Sequence, residues 1–360
     1  MTPSHLKGLL WTDVMYRATQ PLASVTYRYS HTTYHPTEQT LGFWEFLDRT
    51  HGDLDYGALS EEEIGDLYVA YRAAAAGGPG AAGPRARAEA LRPYAEAVED
   101  GWVHPASTRI LHLWSAHYAA LGLHDPGLLE HQPPGLTLDE TLARLDALGM
   151  ILDLRGAGGP VYLDHTRAGL PLRQLVTADG RPNYLACALR ELMALAPGFD
   201  EVVLVYDTEL DPDYRQLARV LTALGPAVRR VPVGRVPIEG RIRSARHGGW
   251  RDHHAGALLT AAYDAGHDAA AVHLGMRLYF IAVLGPGHRQ SFRADLLHQC
   301  LRRAERMLER ARYGDESELA PELARHRKDH LYVDPYRLTS SLLGRRNREP
   351  APGLLTEVFL

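Results

Sequence analysis

Four short runs rich in β-branched residues dominate the second half of the chain: MILDL at 150–154, VYLDH at 161–165, EVVLVYD at 201–207 and VRRVPVG at 228–234. The last three are followed or separated by helical stretches at 183–196 and 212–224. Strands that alternate with helices predict a parallel sheet covered by helices. The alternation therefore restricts the chain to an α/β fold. On either side lie helical patterns. Residues 60–72, 86–99, 107–121 and 137–149 precede the strands, and 257–283 and 291–313 follow them, with apolar residues at helical spacing. Ser60 with Glu63 forms a capping-box pattern, and Gly149 stands where a helix would stop. The small-residue stretch 73–90 interrupts the first block, because alanine, glycine and proline in this mixture cannot build a core.

Composition narrows the class. A chain of 360 residues with 45% hydrophobic and 23% charged residues is an ordinary soluble globular protein. Its net charge of −5 argues against a protein that coats nucleic acid, although basic residues cluster at 229–251, 325–328 and 345–348. Cys187 and Cys300 supply neither a disulfide framework nor a thiolate zinc site, so a reduced cytoplasmic setting is expected. No apolar run reaches membrane-spanning length, and no signal peptide is evident at the start.

Three regions carry candidate chemistry. The stretch 229–251 holds Arg229, Arg230, Arg235, Arg241, Arg243, Arg246 and Arg251 together with Gly240, Gly248 and Gly249. Glycines let backbone N–H groups approach an anion and guanidinium groups grip phosphate in a planar fork. The alternative is a solvated surface loop. Asp207 and Glu209 follow the strand EVVLVY, at the carboxyl end where ligands bind in α/β sheets; Asn183 and Tyr184 open a helix after the turn at Asp179 and Gly180. Tyr184 reads equally as a pocket residue or a core aromatic, and Asp211 and Asp213 as first-turn helix acids. His31 and His35 are four apart, but Pro36 disfavours a helix there and no third ligand is near, so no metal site is expected.

The order of these motifs resembles arginyl-tRNA synthetases of class I. The resemblance runs over roughly 20–312. It rests on DGRPNYLACALREL at 179–192, on FDEVVLVYDTELDPDYRQLARVLTALG at 199–225 and on VRRVPVGRVPIEGRIRSARHGG, in which 240–249 takes the place of the KMSKS loop. AGALLTAAYDAGHDAAAVHLGMRLYF at 255–280 and, in the front half, TLGFWEFLDRTHGDLDYG at 40–57 extend it. The resemblance implies a class I (HUP-type) Rossmann-like parallel sheet. It would comprise a first half at 1–59, a helical insertion at 60–149, a second half at 150–256 and a helical C-terminal region at 257–360. In that frame His51 and Asp53 end the second strand.

The same comparison marks departures. The first ATP signature becomes Ala23, Ser24, Val25 and Thr26, and the aspartate that pairs with the substrate guanidinium becomes Ala188, beside a retained Tyr184. The adenosine-side histidine falls near Glu209 and Leu210, and Arg241, Arg243 and Ser244 stand in the second signature. The resemblance thus implies Ser24, Tyr184 and Glu209 as catalytic candidates. Thr26, Arg241, Arg243, Ser244, Arg246 and His247 would contact phosphate or nucleotide, and His51, Asp53, Asn183, Tyr184 and Asp207 would form the amino-acid pocket. Folds of this class without their ATP signatures, such as cyclodipeptide synthases, accept aminoacyl-tRNA already activated. The expected function is acyl transfer or amide formation from an amino acid or aminoacyl-tRNA in specialised metabolism, with the tRNA 3′ end as partner and no membrane. ATP stays open as the one cofactor to test. The alternative is a non-catalytic paralogue that binds or regulates.

Overall fold

The computed structural model describes residues 1–30, 35–76, 84–130, 132–242, 251–287, 290–312, 318–344 and 350–360. It opens on a helix that the sequence reading does not contain. α1 (Pro3–Thr19) begins at Thr2, whose side chain accepts from the His5 backbone, with Pro3 in the first turn. Leu6, Leu10, Val14 and Ala18 are wholly buried, and Lys7 and Asp13 are buried with them. A helix covered on most sides belongs inside the core, and its weak amphipathic pattern is why it escapes a periodicity search.

The front half departs from the expected strand. Residues 38–51 form α2 (Glu38–His51), capped by Thr37. Leu41, Trp44 and Leu47 recur at helical spacing and are fully buried. His51 is therefore the exposed last residue of a helix, and Asp53 is exposed beyond Gly52. Three more helices follow, α3 (Glu61–Ala76), α4 (Pro84–Glu99) and α5 (Pro105–Ala120), and then α6 (Leu138–Ala147). The capping box ahead of α3 forms as expected: Ser60 Oγ donates to Glu63 Oε2 at 2.7 Å, and the Glu63 amide donates to Ser60 Oγ at 3.2 Å. Gly149 ends α6 with φ of 65°, where only glycine is unstrained.

The expectation of a parallel sheet holds for one pair of strands. β1 (Ile151–Asp153), β2 (Val161–Leu163) and β3 (Arg173–Val176) form an antiparallel meander. Their connections are short turns, each closed by a left-handed glycine, Gly158 or Gly169. A parallel crossover needs a dozen or more residues, usually an α-helix, and these shorter loops hold only a single 3-10 turn each. Beyond α7 (Tyr184–Leu195), β4 (Glu201–Asp207) pairs in parallel with β5 (Ala227–Val233) across α8 (Asp211–Ala223), from Glu201 opposite Ala227 to Asp207 opposite Val233. Alternation along β4 sends Leu204 and Tyr206 into the core beneath α7 and α8, and Val203 and Val205 toward α1.

The C-terminal region is helical: α9 (Ala255–Asp264), α10 (Ala269–Arg277) continued by a π turn at Leu278–Val283, α11 (Ala294–Ala311), α12 (Leu319–Ala324) and α13 (Pro335–Gly344). α10 and α11 approach closely at Gly275, where an added Cβ would lie 2.8 Å from Leu301 Cα. Arg277, wholly buried, reaches from the end of α10 to Asp13 of α1 at 2.6 Å. None of the described helices is long and apolar enough to cross a membrane.

Candidate functional site

A cleft of about 1310 Å³ opens beside β4. α1 contributes His5, Gly8, Thr12 and Tyr16 to it; the extended segment 23–30 contributes a second wall; the start of α2, the turn into α7 and the carboxyl ends of β4 and β5 complete it. The cleft runs along β4, from Gly198–Glu201 at its amino end to Tyr206 and Asp207 at its carboxyl end.

Tyr184 is at the centre. Asn183 caps α7 by accepting from the Ala186 amide at 2.9 Å, and its amide group donates back to the Gln174 carbonyl. That local capping places the next residue, Tyr184, at the cleft wall. Its hydroxyl neighbours those of Ser30 and Tyr214, and its ring meets the edge of His35 with centroids 5.4 Å apart. Burial raises the Tyr184 phenol above the ordinary tyrosine range; the Ser30 and Tyr214 hydroxyls pull the other way, and the Glu191 charge adds to the rise. Tyr27, Tyr29 and Tyr214, which also line the cleft, are raised first by burial as well. At neutral pH these phenols keep their protons and offer donors to a ligand.

The structure brings several of the expected residues together. Ser24 and Thr26 are exposed on the segment 23–30 and line the same cleft as Asn183, Tyr184 and Asp207. Asp207 is already engaged: one oxygen accepts from the Glu209 amide at 3.1 Å, and the other pairs with Arg235. Arg235 also binds Glu209 at 2.9 Å. Glu209 itself is exposed and is not part of the lining, and neither are His51, Asp53 or Arg241. Ala188 is buried in the core on α7 beside Leu189, away from the cleft, so a carboxylate there would face apolar side chains.

Among the described arginines of the basic stretch, Arg229 and Arg230 are paired like Arg235. Arg229 is bound to Glu201 at 2.9 Å and Arg230 to Asp211 at 2.7 Å. Asp211 and Asp213 sit in the first turn of α8, as expected of helix acids, and Asp213 holds Arg173 at 2.7 Å. Arg241 is exposed and closes a tight turn with Ile238 through two backbone bonds of 2.8 and 3.0 Å, with Glu239 and Gly240 both at positive φ. Arg243, Ser244, Arg246 and His247 lie outside the described residues, as does His31.

Sequence reasoning missed Tyr214 and the pairing of His35 with Glu191. His35 is 3% exposed, and its Nε2 lies 2.9 Å from Glu191 Oε1. Nothing local signals that contact, because the partners are 156 residues apart. Burial pushes the Cys187 thiol up to about 12 and that of Cys300 to about 11, so neither is a ready nucleophile. Among the described residues no group of three His, Cys, Asp or Glu side chains is placed to hold a metal. No family model matches the sequence, and no curated protein matches it significantly.

Proposed function

We propose that the cleft takes an amino-acid-bearing ligand and transfers its acyl group to an acceptor, in a chain that resembles arginyl-tRNA synthetases but does not perform ordinary tRNA charging. The observation that carries this reading is the convergence on Tyr184. A buried phenol beside two further hydroxyls, Ser30 and Tyr214, lines a cleft that also presents Ser24 and Thr26. A phenol in this setting gives and takes protons at an ester or amide centre. Ser24, exposed in the cleft, is the candidate acyl carrier, and Asp207 with Arg235 offers a dipolar site for the amino group. Energy from the ester of an aminoacyl-tRNA would make the altered ATP signatures dispensable.

The cleft's volume accommodates more than a free amino acid, because ligand sites of about 300–1,000 Å³ enclose drug-sized molecules. That favours a ligand with both an aminoacyl group and a nucleoside end. The test is consumption of charged tRNA, amino acid by amino acid, run beside ATP–pyrophosphate exchange. Transfer from charged tRNA without exchange is the expected result, and Tyr184→Phe should lower it by about 10²–10⁴-fold. Binding of charged tRNA without turnover in either assay would instead establish a non-catalytic paralogue.

A further inference from the structure

Among the described strands, β4 has one neighbour. It pairs with β5 along its whole length, and its other edge carries no strand. In a parallel pair every second residue of a strand turns its N–H and C=O toward the partner. The Ala227 amide donates to the Asp200 carbonyl at 2.9 Å, which fixes the phase. Val202, Leu204 and Tyr206 turn their main-chain groups to β5, and Glu201, Val203, Val205 and Asp207 turn theirs to the free edge. Val203 and Val205 make no backbone hydrogen bond to a described residue outside the β4–β5 pair. These four outward-turned residues all line the cleft, whereas Val202 and Leu204 do not. An open strand edge is a template for another strand, and folds normally cover it.

The cleft has the shape and charge for such a strand. The segment 23–30 lines it too, takes part in no strand pairing, and alternates between exposed Ser24, Thr26 and Arg28 and half-buried Val25, Tyr27 and Tyr29. Gly8 of α1 also lines it, and a Cβ added there would meet nothing within 4 Å. A strand of five residues, about 17 Å long, needs roughly 800 Å³ at the usual strand and sheet spacings. The cleft's 1310 Å³ holds that and leaves space for an aminoacyl group. Of the lining carboxylates, Glu38, Glu201, Asp207 and Asp213 are bound to Arg87, Arg229, Arg235 and Arg173. Asp200, exposed at the amino end of β4, has no ion-pair partner among the described residues.

We propose that the free edge of β4 takes an extended peptide as a third strand, parallel to β4, with its amino-terminal ammonium at Asp200. Main-chain pairing supplies the affinity, and side chains on alternate residues supply selectivity. The direction follows from charge, since an antiparallel segment would bring its carboxyl end to the Asp200 carboxylate. Such binding goes beyond acyl transfer and does not depend on it.

The probe is the pentapeptide amide Thr-Val-Thr-Val-Thr with a free amino terminus, titrated by calorimetry while NMR follows exchange of the Val203 and Val205 amides. Binding should slow both amides. N-methylation of every second peptide nitrogen removes the donors of one edge, and in one of the two registers it should weaken binding about tenfold. N-acetylation of the probe and Asp200→Asn should each weaken it about two- to fivefold, and the two together no more than either alone. Gly8→Leu should block the probe while circular dichroism stays unchanged. Equal binding by the parent and both methylated probes, or no binding at all, overturns the strand site. An acetylation effect that persists in Asp200→Asn overturns the assigned direction. Amides of Val203 and Val205 that are already protected without probe mean that 23–30 or a second copy covers the edge; light scattering separates those two occupants, and either overturns the peptide site. Probe binding without acyl transfer from any charged tRNA sinks the proposed function and leaves the peptide site standing, and transfer without probe binding does the reverse.

Discussion

Replacing Arg277 by methionine should destabilise the protein more than most single changes. The guanidinium is wholly buried. Its Nη2 bonds Asp13 Oδ2 at 2.6 Å and the Gly122 carbonyl at 2.9 Å; its Nη1 bonds the carbonyls of Leu121 and His273, both at 3.0 Å. Methionine keeps much of the stem and fills the same space, so the loss is one of charge and donors. Removing one partner of a buried ion pair costs about 3–5 kcal/mol. Arg17 still bonds Asp13 Oδ1 at 3.1 Å and Gly122 O at 2.6 Å, and the His124 amide bonds Asp13 at 2.8 Å, which keeps the carboxylate partly satisfied. The Leu121 carbonyl loses its side-chain donor, and a buried polar group left unsatisfied costs about 1–3 kcal/mol. Together these place the loss near 4 kcal/mol. Urea unfolding followed by tryptophan fluorescence measures it. The double variant Asp13→Leu, Arg277→Met removes both charges and should lose less than the single one, because no unpaired ion remains. A single variant within about 1 kcal/mol of wild type, or a double variant equal to the sum of the singles, refutes the reasoning. Because α1 carries Asp13 and also lines the cleft, the same variant should weaken ligand binding before it unfolds.

Three further outcomes are expected. Gly275→Ala should lower the unfolding midpoint sharply, since its Cβ would press on the Leu301 backbone as well as on its side chain; a cost of about 1–3 kcal/mol is the overpacking range. Burial, and then the amino-terminal charge, hold the His117 imidazole down to about 4, against 6.5 when free. The unfolded chain therefore binds a proton that the folded chain refuses, so stability falls as pH drops from about 6.5 to about 4, by on the order of 1.4 kcal/mol per pH unit. Thermal unfolding of His117→Gln across that window should show a flatter pH dependence, and an unchanged slope would exclude His117 as the source. Arg235→Gln frees Asp207 at the cleft wall and should tighten binding of an amino-acid amide several-fold by calorimetry; weaker binding would mean that Arg235 itself contacts the ligand.

The sequence alone determined what local physics governs. The capping box at Ser60, the left-handed glycine at 149 and the helices α3 to α8 follow from side-chain hydrogen bonds and periodicity within a few residues. The runs EVVLVYD and VRRVPVG likewise became β4 and β5 with a helix between them. At 38–51 the strand implied by the resemblance gave way to a helix, because Leu41, Trp44 and Leu47 lie at helical spacing and the face they form packs on its neighbours. Only the tertiary structure decided the rest. β1 to β3 pair antiparallel because their connecting turns are too short for a crossover. α1 is central because distant segments cover nearly every side of it. Tyr184 could be placed at the start of a helix after a turn from sequence, but its neighbours Ser30 and Tyr214 and the carboxylate Glu191 meet only when segments around 30, 184–191 and 214 fold together. Such contacts leave no periodic trace, because each depends on the path of the whole chain and not on its neighbours in sequence.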